Sequence, residues 1–156
     1  MTSGFTHLDA SGAARMVDVT EKAVTARVAT AAGRVLVSPE VVALLRGEGV
    51  PKGDAIAVAR IAGIAGAKRT PDLIPLCHPV ALHGVTVDLE VTDEAVEITV
   101  TARTADRTGI EMEALTSVAV TGLTVIDMVK AVDPRAVITD VRLLAKSGGK
   151  KGDWTR

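Results

Sequence analysis

Hydrophobic positions along the 156-residue chain recur with two periods: every second residue, as on a strand, and every three to four residues, as on a helix. Alternation through Met16, Val17, Val19, Val24, Ala26 and Val28 predicts two strands. Ser38-Pro39-Glu40 predicts a helix start, with serine as N-cap and proline in the first turn, and Val41, Val42, Leu44 and Leu45 form a short stripe that ends at Gly47. A second helix is predicted from Asp54 as N-cap through Ile56, Val58, Ile61 and Ile64 to about Lys68. It is apolar almost all round and so is expected to be buried, and Gly63 and Gly66 predict close approach of another backbone.

Further on, Val85, Val87, Leu89 and Val91 alternate with polar residues, as do Val96, Ile98, Val100 and Ala102, which predicts a hairpin. A third helix is expected from Gly109 to about Ala131, stopping before Asp133-Pro134, and a last strand through Val137, Ile138, Val141, Leu143 and Leu144. The predicted order ββααββαβ points to an α+β fold: a ferredoxin-like two-layer sandwich, with a mostly antiparallel sheet and helices packed on one face. Residues 1–12 read as a flexible N-terminal lead and 13–156 as a single domain ending in a mobile Gly/Lys-rich tail.

Composition narrows the function. Hydrophobic residues make up 47% of the chain but aromatics only 1%, from Phe5 and Trp154, so the core is aliphatic and no stacking platform for bases exists. So much aliphatic surface in a small chain favours a homo-oligomer. A net charge of −1 supplies no global field towards nucleic acid or an anionic membrane. The run Ala55–Ala67 is broken by Arg60, and Val118–Val129 carries Asp127, so no membrane span is expected. One cysteine, Cys77, and an N-terminus without signal-peptide character fit a cytoplasmic protein.

Five clusters could carry chemistry. In Asp72-Leu73-Ile74-Pro75-Leu76-Cys77-His78-Pro79, prolines hold a cysteine and a histidine in a rigid irregular segment that suits either a connector or a site. Lys52-Gly53-Asp54 places a cation at a helix start, where an anion such as phosphate is favoured; a solvated lysine before a capped helix has the same spelling. Glu111-Met112-Glu113 would share a face on a strand but point apart on a helix. Asp127 and Lys130, three residues apart, meet on one helical face, either as an exposed pair or as a near-buried one that brings the lysine into acid/base range. The stretch from Lys146 to Asp153 sets lysines among glycines, as an anion loop or a flexible tail. Gly66-Ala67-Lys68-Arg69-Thr70 lacks the core of a phosphate loop, and Gly47-Glu48-Gly49 lacks the third glycine of a dinucleotide fingerprint. Cys77, His78, His83 and the more remote His7 have no metal-ligand spacing, so no metal is expected.

Met16-Val17-Asp18-Val19-Thr20, Lys52-Gly53-Asp54, Ala59-Arg60-Ile61-Ala62-Gly63-Ile64, Ala67-Lys68-Arg69-Thr70, the Cys77-His78 loop, Thr108–Thr116, Asp127–Ala131 and Arg142–Lys150 occur in one order. From about Ala13 to Trp154 the chain resembles the cyclic pyranopterin monophosphate synthase (MoaC) family of molybdenum cofactor biosynthesis. The resemblance implies a lyase that takes (8S)-3′,8-cyclo-7,8-dihydroguanosine 5′-triphosphate to cyclic pyranopterin monophosphate with release of diphosphate. It implies a hexamer, a trimer of dimers with sites at subunit interfaces. It implies no cofactor, leaving open whether Mg²⁺ accompanies the triphosphate. Carried onto matching positions, Lys52 and Lys130 become acid/base lysines, with Asp127 tuning Lys130 or relaying its proton. Leu76, Cys77, His78, Met112 and Glu113 become substrate-binding residues, with Glu111 and Asp18 as helpers, and Arg60, Lys68, Arg69, Lys146 and Lys150 become candidates for the phosphates. Two positions depart from the pattern: Ile126 stands where tyrosine is common and Val129 where cysteine is frequent, and neither removes a proton-transfer group. An idle paralogue would be expected to lose Lys52, Asp127 or Lys130, and all three are present.

Overall fold

The computed structural model describes residues 6–47 and 49–156; Met1–Phe5 of the N-terminal lead, and Glu48 of the Gly47-Glu48-Gly49 segment, lie outside the described residues. The elements in chain order are β1 (Thr25–Leu36), α1 (Pro39–Arg46), α2 (Ala55–Lys68), a single helical turn α3 (Thr70–Leu73), β2 (Leu82–Val91), β3 (Ala95–Asp106), α4 (Glu111–Val129), β4 (Val137–Ser147) and β5 (Trp154–Thr155). The strands form one antiparallel sheet in the order β2-β3-β1-β4-β5. Crossover β1-α2-β2 skips over β3, and β3-α4-β4 skips over β1. Two interleaved split β-α-β units of this kind make the α+β sandwich that the pattern predicted.

Local signals set the element ends. Ser38 Oγ accepts from the Val41 amide at 3.3 Å and Pro39 opens α1, while Asp54 Oδ1 accepts from the Ala57 amide at 3.0 Å to start α2. The hairpin is longer than its alternating core, with Val85 opposite Ala102 and Val91 opposite Val96. Asp133, 7% exposed, ends the α4 region: its carboxylate accepts from the Ser38 amide at 2.8 Å and the Arg135 amide at 3.0 Å, joining the start of α1 to the turn before β4.

The core lies between the sheet and the α2–α4 layer. Ala29, Ala31 and Val35 of β1, with Val96, Ile98 and Val100 of β3, face Ala114, Val118 and Val125 of α4. Helices α2 and α4 touch through small residues: a Cβ on Gly63 would sit 2.1 Å from Thr121 Oγ1, and one on Gly66 would sit 2.8 Å from Val120 Cγ2. Nineteen residues long and apolar, α4 has the length of a membrane crossing, but here its apolar surface packs on the sheet and on α2.

Three expectations need correction. Residues 16–19 are not a strand: β1 has β3 and β4 on its two edges, so this segment cannot pair with the strand that follows it, and the Val17 carbonyl meets the His78 ring instead. Helix α2 is only half-buried: Ala55, Ala59, Gly63, Gly66 and Ala67 are covered, while Val58 and Ile61 are 43% and 68% exposed. Its close-packed face is the small-residue one, which leaves the bulky side chains outside. Asp72 and Leu73, at the start of the Pro-rich segment, belong to α3; the extended backbone begins at Ile74, before Pro75.

Candidate active site

The Pro-rich loop, the first turn of α4 and the end of β4 enclose a cavity of about 490 Å³, within the range of small-molecule sites. The loop contributes Leu76, Cys77 and His78; α4 contributes Glu111, Met112 and Glu113; β4 and the residues after it contribute Lys146 and Lys150. Local geometry holds the loop still. Thr70 O accepts from the Ile74 amide at 2.9 Å and Ile74 O from the Cys77 amide at 3.1 Å. His78 Nε2 donates to the Val17 carbonyl. A carbonyl can only accept, so Nε2 carries its proton and Nδ1 is the nitrogen left for a ligand. Asp18 follows Val17 at this junction and stands outside the cavity lining; its carboxylate accepts from the Thr20 hydroxyl and amide and is held below the usual range, chiefly by those bonds.

The two glutamates lie on a helix, so they point apart, and they meet different fates. Burial opposes ionisation of Glu111, but Lys146 Nζ donates to its Oε1 at 2.8 Å, and this pairing keeps the carboxyl below the ordinary value. Glu113 is 3% exposed and has no such lysine; burial, reinforced by the charge of Glu111, pushes it up to about 6 despite its own backbone N–H. The same wall affects Cys77: burial, then Glu113 and Glu111, raise its thiol, so it is a weak nucleophile.

Cations face this wall. Lys22, Arg27 and Lys151 line the cavity beside Lys146 and Lys150; Lys151 belongs to the Gly/Lys stretch that the sequence offers as an anion loop, whereas Lys22 and Arg27 stand in no motif. Lys22 and Arg27 precede and open β1 without any spacing signal, and Lys151 differs from Lys150 only by the path of a glycine turn. Among the described residues no carboxylate lies within 4.0 Å of Lys22, Arg27, Lys150 or Lys151, whereas Lys146 is engaged by Glu111.

Lys52, Asp127 and Lys130 form a second cluster. Asp127 Oδ2 accepts from Lys52 Nζ at 2.9 Å and Oδ1 from Lys130 Nζ at 2.7 Å. Those two bonds, Lys130 first, hold the Asp127 carboxyl down to about 2, so it stays ionised at any ordinary pH. The cluster is exposed, with side-chain exposures of 43%, 53% and 56% for Lys52, Asp127 and Lys130. The ammonium of Lys52 therefore goes to Asp127 and not to the start of α2, where Asp54 occupies the cap. The cavity and this cluster sit at opposite ends of α4: from Glu113 to Asp127 is about 21 Å at 1.5 Å per residue.

Three candidate phosphate cations lie outside the cavity lining. Arg60 Nε donates to the Val87 carbonyl of β2 at 3.0 Å, Arg69 pairs with Asp72 at 3.6 Å, and Lys68 lies exposed on the last turn of α2. Among the described residues no three His, Cys, Asp or Glu side chains converge as a metal site would require.

The MoaC family model matches residues 16–149, most of the chain. The chain belongs to the MoaC family. Curated members named cyclic pyranopterin monophosphate synthase are similar along nearly their whole length. One from Streptomyces coelicolor is 74% identical over 151 residues, covering 97% of this chain and 89% of the relative. One from a Nocardioides species is 68% identical over 154 residues, covering 97% and 94%. One from Parvibaculum lavamentivorans is 56% identical over 151 residues, covering 96% and 94%. The stretch matched by the MoaC model includes both the cavity wall and the lysine cluster.

Proposed function

We propose that this chain is a cyclic pyranopterin monophosphate synthase: a lyase of molybdenum cofactor biosynthesis that converts (8S)-3′,8-cyclo-7,8-dihydroguanosine 5′-triphosphate to cyclic pyranopterin monophosphate and diphosphate. The observation that carries this reading is the cavity's two-sided chemistry. One wall holds Glu113 and the loop from Leu76 to His78, suited to a hydrogen-bonding heterocycle; the other presents Lys22, Arg27 and Lys150, suited to a triphosphate. Formation of the cyclic phosphate breaks the bond to the leaving diphosphate while a ring hydroxyl gives up its proton. Cations at the leaving group and a proton acceptor at the hydroxyl both lower that barrier.

Lys52 and Lys130 are the proton-transfer groups of this reading, and Asp127 holds both ammonium groups together. Glu111 is spent on Lys146, which leaves Glu113 as the carboxyl that meets the ring. Because the lysine cluster stands about 21 Å along α4 from Glu113, it cannot serve the cavity of its own chain. It serves a neighbour's. The active unit is then a homo-oligomer in the cytoplasm, a hexamer built as a trimer of dimers. Exposed Val58 and Ile61 on α2 and Leu123 on α4, the last 59% exposed, supply apolar surface for its contacts.

Product formation by the purified chain from the triphosphate tests the activity. Lys130→Ala should keep fold and assembly and abolish turnover; near-full turnover sinks its assignment. Since Lys52 and Lys130 share one carboxylate on one chain, the informative mixture pairs Lys130→Ala with Glu113→Gln. Random mixing of two inactive chains restores about one quarter of the wild-type rate if each site draws on two subunits. No recovery in verified mixed oligomers overturns the shared site.

A further inference from the structure

The end of the chain is fastened to the cavity. Residues Trp154–Thr155 pair with β4 so that Trp154 lies opposite Lys146 and Thr155 opposite Ala145. Arg156 extends the attachment: its amide donates to Leu144 O and its Nε to Leu143 O, both at 2.8 Å, and its guanidinium lies 5.7 Å from the Trp154 ring centroid. Between β4 and β5 the chain must turn in a few residues. Asp153 Oδ1 accepts from the Gly148 amide at 3.2 Å, and Gly149 O accepts from the Gly152 amide at 3.2 Å.

This turn is pressed against β1. Gly148 and Gly149 have φ of 86° and 79°, and a Cβ on them would fall 2.1 Å from Ala26 O and 2.2 Å from Arg27 Nη1. Arg27 is fixed from the other side, where its Nε donates to Asp106 O at 3.0 Å. Lys150 and Lys151, at the head of the turn, reach the cavity beside Arg27 and Lys22. Cations from separate stretches of chain are thus brought together by one fastening.

We propose that Asp153 and strand β5 are positioning elements that hold Lys150, Lys151 and Arg27 in the geometry of a polyphosphate seat. This rests on the reading of the cavity as a triphosphate site. Asp153 stands outside the cavity lining; it closes the turn, and β5 keeps the turn from lifting off β1. The paired strand keeps the lysines' backbone ordered before the anion arrives, so less ordering remains to be supplied by binding.

The test uses the full chain, Asp153→Ala, Asp153→Asn and a chain ending at Asp153. Inorganic tripolyphosphate binding is measured by calorimetry, and kcat and KM are measured with the triphosphate substrate. Asp153→Ala and the shortened chain should bind tripolyphosphate about tenfold more weakly, the scale of one lost charge-assisted contact, with KM raised alike and kcat within about twofold. Asp153→Asn keeps an oxygen for the Gly148 amide and should behave as the full chain does. Unchanged tripolyphosphate affinity in both Asp153→Ala and the shortened chain overturns the proposal, as does a loss confined to kcat or one that Asn shares with Ala. A full chain that turns over substrate but ignores tripolyphosphate also overturns it, while leaving the proposed function intact. A full chain that does neither overturns the reading of the cavity itself.

Discussion

Replacing Glu113 with glutamine should stabilise the protein, and only at neutral and alkaline pH. The side chain is 3% exposed, and its carboxyl is raised from 4.5 to about 6, first by burial and then by Glu111. A raised carboxyl binds its proton more tightly in the folded chain than in the unfolded one. The protonated form is therefore the one the fold favours: stability is full below about pH 4.5 and declines as pH rises through about 6. At 1.36 kcal/mol per unit, a shift of about 1.5 units costs about 2 kcal/mol once Glu113 is ionised. Glutamine keeps the shape and cannot ionise. In a domain of this size that difference corresponds to about 4–8 °C in Tm at pH 8 and to nothing near pH 4.5. Thermal melts of both proteins from pH 4.5 to 8.5 measure it directly. A variant less stable than wild type at pH 8, or equally shifted at both ends of the range, refutes the account of Glu113 as a carboxyl strained by burial. On the proposed role of Glu113 as the carboxyl that meets the ring, turnover should move the other way.

Asp127→Asn should lower turnover by about a hundredfold, the scale of disrupted acid/base catalysis, while leaving Tm nearly unchanged because the cluster is exposed. With wild-type Asp127 ionised down to about pH 2, no acid limb of the activity profile near pH 5–6 belongs to it; a limb that disappears in Asp127→Asn contradicts this. Gly63→Ala gains helix propensity but drives a methyl to within 2.1 Å of Thr121 Oγ1, so chemical denaturation should show a net loss of about 1–3 kcal/mol, partly restored by Thr121→Ala.

Local chemistry was legible in the sequence and long-range partnership was not. Ser38-Pro39 and Asp54 gave their helix starts correctly because a cap is a contact across three residues. The hairpin was legible for the same reason: its alternation is a statement about neighbours on one face. Helix α2 was misjudged in one respect, since apolarity says that a surface avoids water but not which part of it the same chain covers. Met16–Val19 alternates like a strand, yet a strand needs a pairing partner, and the neighbouring β1 already has β3 and β4 on its two edges.

The site divides along the same line. Leu76–His78 and Met112–Glu113 are two local stretches that only the resemblance joins into one wall, whereas Asp127 meets Lys130 as helical spacing predicts. That Lys52 joins them depends on a contact across 75 positions, which no spacing rule encodes. The resemblance makes Arg60 a phosphate candidate, but its Nε donates to the Val87 carbonyl of β2 and it lies outside the cavity lining. Lys22 and Arg27 carry no signal beyond their charge, and only the path of β1 and of the final turn makes them neighbours of Lys151 in the Gly/Lys stretch. The opposite fates of Glu111 and Glu113 also depend on Lys146, which arrives from β4.

The placement of Trp154 gives the protein a built-in optical reporter. The chain has one tryptophan and no tyrosine, so its intrinsic emission under selective excitation comes from a single indole. That indole is 40% exposed, sits on the last strand opposite Lys146, and has the Arg156 guanidinium beside its ring. Quenching by iodide or acrylamide, spectral shift and anisotropy therefore follow the fastening of the terminal segment with no labelling and no background from the core.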